Sequence, residues 1–161
     1  MGRYPRSEIE EAFAHYQEVG ARAGATKRWD EWAEMFTEDA TYVEHHYGRF
    51  QGREEIRAWV SKTMAEPIND DMVGFPMRWY LIDEERSWVL CCVINRMRDP
   101  GDGTVHEADN WSRLEYAGNG QWSAQEDMYN PNEFASMIGG WLRANKASGC
   151  SDPDEGPTDG R

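Results

Sequence analysis

Read for the spacing of its apolar positions, the chain divides into an amino-terminal part with helical period and a longer carboxy-terminal part with strand period. Ile9, Ala12, Phe13, Tyr16 and Val19 recur three and four residues apart, the stripe of a helix that buries one face. Ser7 stands three residues before Glu10, the spacing of a capping box, so a first helix is predicted from Ser7 to Val19, ended by Gly20 and Gly24. Trp29 to Phe36 reads as a short second helix with Trp32, Met35 and Phe36 inward, followed by an acidic turn at Thr37-Glu38-Asp39. Asp39 to His46 is a strand, and Tyr47 to Gln51 is a brief strand or turn. Gly52 introduces a third helix with Ile56, Trp59, Val60 and Thr63 on one face, until Pro67 forbids its continuation.

The period then changes to two. Phe75 to Ile82, Trp88 to Met97, Val105 to Tyr116 and Trp122 to Tyr129 are predicted strands, separated by turn signals such as Asp99-Pro100-Gly101-Asp102-Gly103 and Ala117-Gly118-Asn119-Gly120. Turns this short join antiparallel neighbours. Asn130-Pro131 opens a last helix, with Phe134, Ile138, Trp141 and Leu142 as its stripe and its end near Asn145. Helices followed by a run of strands make an α+β class. The 161 residues fit a single domain over 1–147. Ser148 to Arg161, rich in Ser, Gly, Pro and Asp, is expected to be an acidic disordered tail.

Composition changes the picture in two respects. The 8 Trp, 7 Tyr, 5 Phe and 8 Met supply large side chains that line cavities as well as cores. A net charge of −13 argues against a nucleic-acid partner, because that affinity rests on Lys and Arg neutralising phosphates. It disfavours an anionic membrane surface equally, and no apolar run approaches the roughly 20 residues of a membrane span. With no apolar leader after Met1, the expected location is the cytoplasm. Cys91, Cys92 and Cys150 offer neither a disulfide framework nor metal-ligand spacing, and reduced, buried thiols are expected.

The candidate chemistry begins on the strand at Asp39 to His46, which carries ionisable residues where a buried strand normally carries aliphatic ones. Tyr42, Glu44 and His46 share one face by period two, predicted to line a pocket. A carboxylate in an apolar pocket loses hydration and its pKa rises towards the range useful for moving protons. Glu44 suits that role, and His46, of a residue type with pKa near ~6.5, suits a proton shuttle. Gln125, Asp127 and Tyr129 share a face of the last strand, where an inward Asp127 needs a partner or a shifted pKa. Asn95, Asn110 and Trp111 are further candidates for orienting a ligand, with Tyr42, Gln125 and Tyr129. His45 and His46 point to opposite faces, so no metal site with Glu44 is expected. The chain has no phosphate-cradling glycine loop, no Gly-x-Ser-x-Gly and no nucleotide fingerprint, which sets aside kinase, dehydrogenase and serine hydrolase readings.

Trp32, Met35, Phe36, Asp39 and Ala40 at a helix-to-strand turn, followed by Gly52, Arg53 and Ile56 at a helix start, form one pattern between Trp29 and Ala58. In this pattern the segment resembles the nuclear transport factor 2-like superfamily. The order of a first helix and four later strands extends the likeness over residues 7–130. Within the superfamily the chain is similar to SnoaL-like polyketide cyclases, ketosteroid isomerases, limonene epoxide hydrolases and scytalone dehydratases. The resemblance implies a cone-shaped, curved antiparallel sheet wrapped by the amino-terminal helices around one apolar pocket. It also implies an enzyme that needs no cofactor and performs isomerisation, cyclisation or dehydration on an apolar carbonyl-bearing small molecule such as a polyketide, steroid or terpenoid. Glu44 falls where ketosteroid isomerases place an Asp general base, and Tyr16 where they place a phenol that holds the dienolate oxygen. Asp127 or His46 would return the proton. Asp127 also resembles the last-strand Asp of limonene epoxide hydrolases, with Arg96 on an earlier strand but Arg98 where those enzymes have a carboxylate. A homodimer covering the open sheet face is implied as well. The alternatives are a non-catalytic binding or protein-interaction module and, more weakly, epoxide hydrolysis through Asp127 and Arg96.

Overall fold

The computed structural model describes residues 2–149. Three helices are interleaved with two short strands at the start: α1 (Arg6–Thr26), α2 (Trp29–Ala33), β1 (Phe36–Glu44), β2 (Gly48–Gln51) and α3 (Arg53–Met64). A 3-10 turn at Asn69–Asp71 leads to β3 (Met72–Gly74), β4 (Met77–Asp83), β5 (Trp88–Met97), β6 (Glu107–Gly118), β7 (Gln121–Tyr129) and α4 (Pro131–Gly149). They form one sheet in the order β2-β1-β7-β6-β5-β3, with β4 also paired to β5. The class is α+β with a curved, unclosed sheet, as the order of periods predicts.

Strands β4 to β7 are antiparallel neighbours, as their short turns require. β1 instead lies parallel to β7, a pairing that no hairpin can make and that closes only after the whole chain between them has run. β3 and β4 follow one another along β5, where Met72 faces Met97 and Met77 faces Val93. Pro76 sits at the break between them and, having no N–H, only accepts there, from the Ile94 N–H at 2.8 Å. The principal core is aromatic. Trp122 is fully buried and meets the rings of Phe13, Tyr16 and Tyr116 edge-on. A second cluster, Met72, Met97, Ala108, Met137 and Trp141, seats α4.

Several boundaries differ from the sequence-based expectation, each for a local reason. α1 passes through Gly20 and Gly24 and ends at Thr26, capped by Lys27 in the left-handed region at φ 65°. Gly24 marks a close approach instead of an end: a Cβ there would lie 2.5 Å from the Val73 carbonyl oxygen and 3.0 Å from the Phe75 ring. The capping box does not form. The helix starts at Arg6 without a side-chain cap, and Glu10 pairs with Arg6 at 2.8 Å. Thr37-Glu38-Asp39 is no turn but the start of β1, whose register on β7 slips between Phe36 and Thr41 so that Phe36 and Ala40 are both buried. β1 ends at Glu44, which leaves His45 and His46 on the turn that follows. α4 runs past Asn145 to Gly149, and the expected tail from residue 150 onward lies outside the described residues.

Trp79 and Trp111 meet edge-on at 5.2 Å on the sheet face turned away from the helices, with Leu90 and Met128 also exposed.

The two helical glycines give a paired test. Gly20 has open space around it, so Gly20→Ala is expected to stabilise the fold by about 0.5–1 kcal/mol in urea denaturation. Gly24→Ala should destabilise it by about 1–3 kcal/mol, because backbone atoms must move. Equal effects of the two changes would refute the close-approach account.

Candidate active site

The inner face of the sheet is polar where β1, β7 and β6 meet, because period two brings Tyr42 and Glu44 of β1, Gln125 and Asp127 of β7, and Asn110 and Ser112 of β6 to one side. Asp127, 7 % exposed, is the centre of this patch. Its Oδ1 accepts from Ser112 Oγ at 2.6 Å and Gln125 Nε2 at 2.9 Å, and its Oδ2 accepts from the Tyr42 hydroxyl. Gln125 Nε2 also donates to Tyr42 at 2.9 Å, while Tyr16 donates its hydroxyl hydrogen to Gln125 Oε1 at 2.9 Å. Burial raises the Asp127 pKa, the hydrogen bonds from Gln125, Ser112 and Tyr42 pull against that, and the charge of Glu44 adds to it. Burial, followed by the charge of Asp127, lifts the Tyr16 and Tyr42 phenols well above their ordinary range. Both phenols therefore remain neutral donors at physiological pH.

Glu44 pairs with Asp127 across the β1 and β7 register and is 4 % exposed. Its Oε2 accepts the backbone N–H groups of His46 at 2.8 Å and of Tyr47. Its Oε1 is buried with no partner. Beside it, burial raises the Tyr129 phenol first, and the approach of its hydroxyl to the Glu44 carboxylate and then that carboxylate's charge raise it further. The hydrogen-bond partners of both carboxylates are neutral, and no ion pair to Lys, Arg or His holds either one among the described residues.

Above this floor lie two adjoining cavities, a first and a second lobe, with Met64, Asn95 and Asn110 in both walls. The first, about 110 Å³, is apolar and is walled by Tyr16, Trp29, Trp32, Phe75, Met77 and Val93. The second, about 140 Å³, holds Glu44 with Tyr47, Thr63, Asn69, Tyr129 and Phe134. Each is close to the size of a cavity that takes one benzene ring. Phe134 of α4 packs on Tyr129 with ring centroids 4.4 Å apart and closes the second lobe. Among the described residues, no Lys, Arg or His lines either lobe. At the junction, Asn95 Nδ2 and Asn110 Oδ1 are buried without partners.

Of the residues picked from sequence, Glu44, Asn95, Asn110 and Tyr129 come together around the second lobe, while Tyr16 lines the first. Tyr42, Gln125 and Asp127 lie beneath the floor as its hydrogen-bonded support. Two selections are corrected. His46 is exposed on the turn after β1, and only its backbone N–H serves Glu44, because the strand ends before the alternation can carry its ring inward. Trp111 is 57 % exposed, because the β6 register aligns Asn110 with Val93 and turns Trp111 to the opposite face. Arg96 pairs with Glu107 at 2.7 Å and not with Asp127, so the epoxide hydrolase arrangement does not assemble. Sequence reasoning missed Ser112, Tyr47, Thr63 and Asn69. Ser112 was accessible through its period-two relation to Asn110 and Thr63 through the inward stripe of α3, whereas Tyr47 and Asn69 reach the lobe from a turn and a 3-10 turn that carry no periodic signal. Cys91 and Cys92 are free and buried, and burial pushes the Cys91 thiol up to about 12, so it stays protonated. Cys150 lies outside the described residues. Among the described residues, no three His, Cys, Asp or Glu side chains form a metal-ligand group, and no helix is long and apolar enough to cross a membrane.

The SnoaL-like domain family matches residues 6–127. The chain belongs to that family. Solved structures agree in fold with this SnoaL-like protein. An LEH-like epoxide hydrolase from M. tuberculosis is similar with a TM-score of 0.63 at 12% identity, covering 89% of this chain and 93% of that one. A candidate isomerase from Bacillus subtilis is similar with a TM-score of 0.64 at 15% identity, covering 82% and 96%. A candidate polyketide cyclase from Xanthomonas campestris pv. campestris is similar with a TM-score of 0.61 at 18% identity, covering 83% and 98%. At such identities the likeness extends to the fold alone. No protein of curated function matches the chain.

The raised pKa of Asp127 has a definite sign in stability. The folded state holds this proton more tightly than the unfolded chain, whose Asp titrates near 3.9. The corresponding stabilisation is therefore complete below about pH 4 and is lost as pH rises through the raised value. Melting curves should show the native protein losing ground to Asp127→Asn between about pH 4 and neutrality, each pKa unit being worth about 1.4 kcal/mol, or roughly 3–6 °C at this size. A difference that is flat across that interval would contradict the assignment.

Proposed function

We propose that this SnoaL-like protein is an enzyme, working without a cofactor, that removes a proton from carbon next to the carbonyl group of a compact, largely apolar small molecule. The observation that carries the reading is Glu44: one carboxylate oxygen is tied to two backbone N–H groups and the other is buried in the second lobe with no partner. The backbone donors fix one oxygen in place, and the free oxygen is the one that takes the proton. The developing enolate oxygen needs a donor already aimed at it. Asn95 Nδ2 suits this better than Tyr16, whose hydrogen is engaged by Gln125. Tyr129, neutral and beside Glu44, is suited to returning a proton. Asp127 in this reading is a support, since its three donors already engage it below the floor.

Lobes of about 110 and 140 Å³ fit a short chain or one ring each. That favours small polyketide or terpenoid skeletons over a fused four-ring steroid. Isomerisation, aldol-type cyclisation and dehydration all begin at the same enolate, so the reading covers the three together.

The test is incorporation of deuterium from heavy water into small enolisable ketones, followed by NMR. Glu44→Gln should slow exchange by about 10²–10⁴-fold, and Asn95→Leu by about 10²–10³-fold, with binding of the ketone retained in Glu44→Gln. Exchange that proceeds undiminished in Glu44→Gln would remove Glu44 as the base. Binding without exchange in the native protein would favour a carrier.

A further inference from the structure

We propose that the junction between the two lobes reads a hydroxyl group placed beside the ligand's carbonyl, so that the natural substrate is a neutral hydroxy-carbonyl compound. This rests on the reading above for the position of the carbonyl and adds the substrate class.

The inference follows one chain of hydrogens. Ser112 has a single hydroxyl hydrogen, and at 2.6 Å it goes to Asp127 Oδ1. Towards Asn110, Ser112 Oγ can then only accept, and Asn110 Nδ2 donates to it at 3.4 Å. A flipped amide would set two acceptor oxygens against each other with no hydrogen between them. The Asn110 oxygen is thereby held away from Ser112, and it is this atom that is buried without a partner in the wall shared by the two lobes. Asp127 thus fixes the polarity of a cavity group that it does not touch. On the neighbouring strand, Asn95 Nδ2 is buried without a partner, and with no hydrogen bond holding that amide it is able to present its N–H to a carbonyl. Asn110 faces Val93 and Asn95 faces Ala108 in the β5 and β6 register, so the two amides are diagonal neighbours on one face, with side-chain origins roughly 7–8 Å apart.

A ligand that satisfies both must offer an acceptor to Asn95 and a donor to Asn110 from adjoining atoms. A ketone or aldehyde with a hydroxyl on the next carbon does this. A diketone or an ether sets a lone pair against Asn110 Oδ1. A keto acid adds a negative charge next to Glu44 and Asp127 in lobes that, among the described residues, no Lys, Arg or His lines. With the hydroxy-carbonyl in place, the hydrogen on the carbon between the two oxygens passes to Glu44 Oε1. Its electron pair moves to the carbonyl oxygen at Asn95, and the hydroxyl stays on Asn110.

Three probes of one shape isolate the hydroxyl: phenacyl alcohol, its methyl ether and acetophenone, each with a phenyl ring sized for one lobe. Binding is measured by calorimetry in Glu44→Gln, so the result does not depend on turnover, while exchange by the native protein tests the base separately. Phenacyl alcohol is expected to bind roughly 10–100-fold more tightly than either analogue, since each of those leaves a buried acceptor unpaired. Adding Asn110→Leu should bring the three affinities together. Adding Ser112→Ala, which frees the amide to turn, should narrow the preference while leaving acetophenone within about twofold. Equal affinities in Glu44→Gln, a preference that survives Asn110→Leu, tighter binding of benzoylformate than of phenacyl alcohol, or no binding by protein shown to be folded by circular dichroism would each overturn the proposal.

Discussion

A carboxylate buried without a counter-ion organises this molecule. Asp127 is removed from water with neutral hydrogen-bond partners and the Glu44 carboxylate on the adjacent strand, a placement that is tolerated only when its oxygens are fully engaged by hydrogen bonds. Ser112, Gln125 and Tyr42 supply those bonds from three adjacent strands. Each donor depends on the sheet order β1-β7-β6 and on its register. A slip by one residue would turn these groups to the outer face and strand the charge. The parallel pairing of β1 with β7, the least local contact in the sheet, is therefore also the one that the polar floor requires.

The floor in turn makes the cavity selective instead of merely apolar. Among the described residues seven side-chain polar atoms stay buried and unpaired, and three of them, Glu44 Oε1, Asn95 Nδ2 and Asn110 Oδ1, belong to residues in the wall of the second lobe. Buried polar atoms left unpaired are costly, and each asks for an explanation where it stands. The aromatic walls contribute shape and exclude water, which strengthens any charge interaction inside. Fold likeness to cyclases, isomerases and an epoxide hydrolase does not choose among these chemistries. Among the described residues, Arg96 is engaged by Glu107, no Lys, Arg or His pairs with Asp127, and Glu44 keeps one oxygen without a partner.

The sequence by itself determined the elements that depend on local periodicity. The strands from Trp88 onward, the turns between them, the Gly52 start of α3 and the Pro131 start of α4 all follow from spacing and turn chemistry. Glu44 was legible as well, because an ionisable residue alternating with aliphatic ones on a strand must be explained by something on its face. Where two local signals competed, tertiary contact decided. Gly20 and Gly24 read as breakers, yet β3 packs so closely on α1 that Gly24 serves the helix. Thr37 to Asp39 read as a turn, yet burying Phe36 and Ala40 together draws them into a bulged strand.

What only the tertiary structure decided is the division of labour within the polar face. Spacing placed Tyr42, Glu44, Gln125, Asp127 and Tyr129 on inward faces, but period two cannot say which of them reach the cavity and which support it. Depth under the helices settles that: α3 and α4 cover the Glu44 end, and α1 and α2 cover the first lobe. Nor could spacing tell that β1 would end at Glu44 and leave His46 in solvent, or that the β6 register would turn Trp111 outward and Asn110 inward. Alternation along a strand is a local property, whereas strand ends, register and depth are set by which neighbours a strand finds, and those neighbours lie far away in the chain.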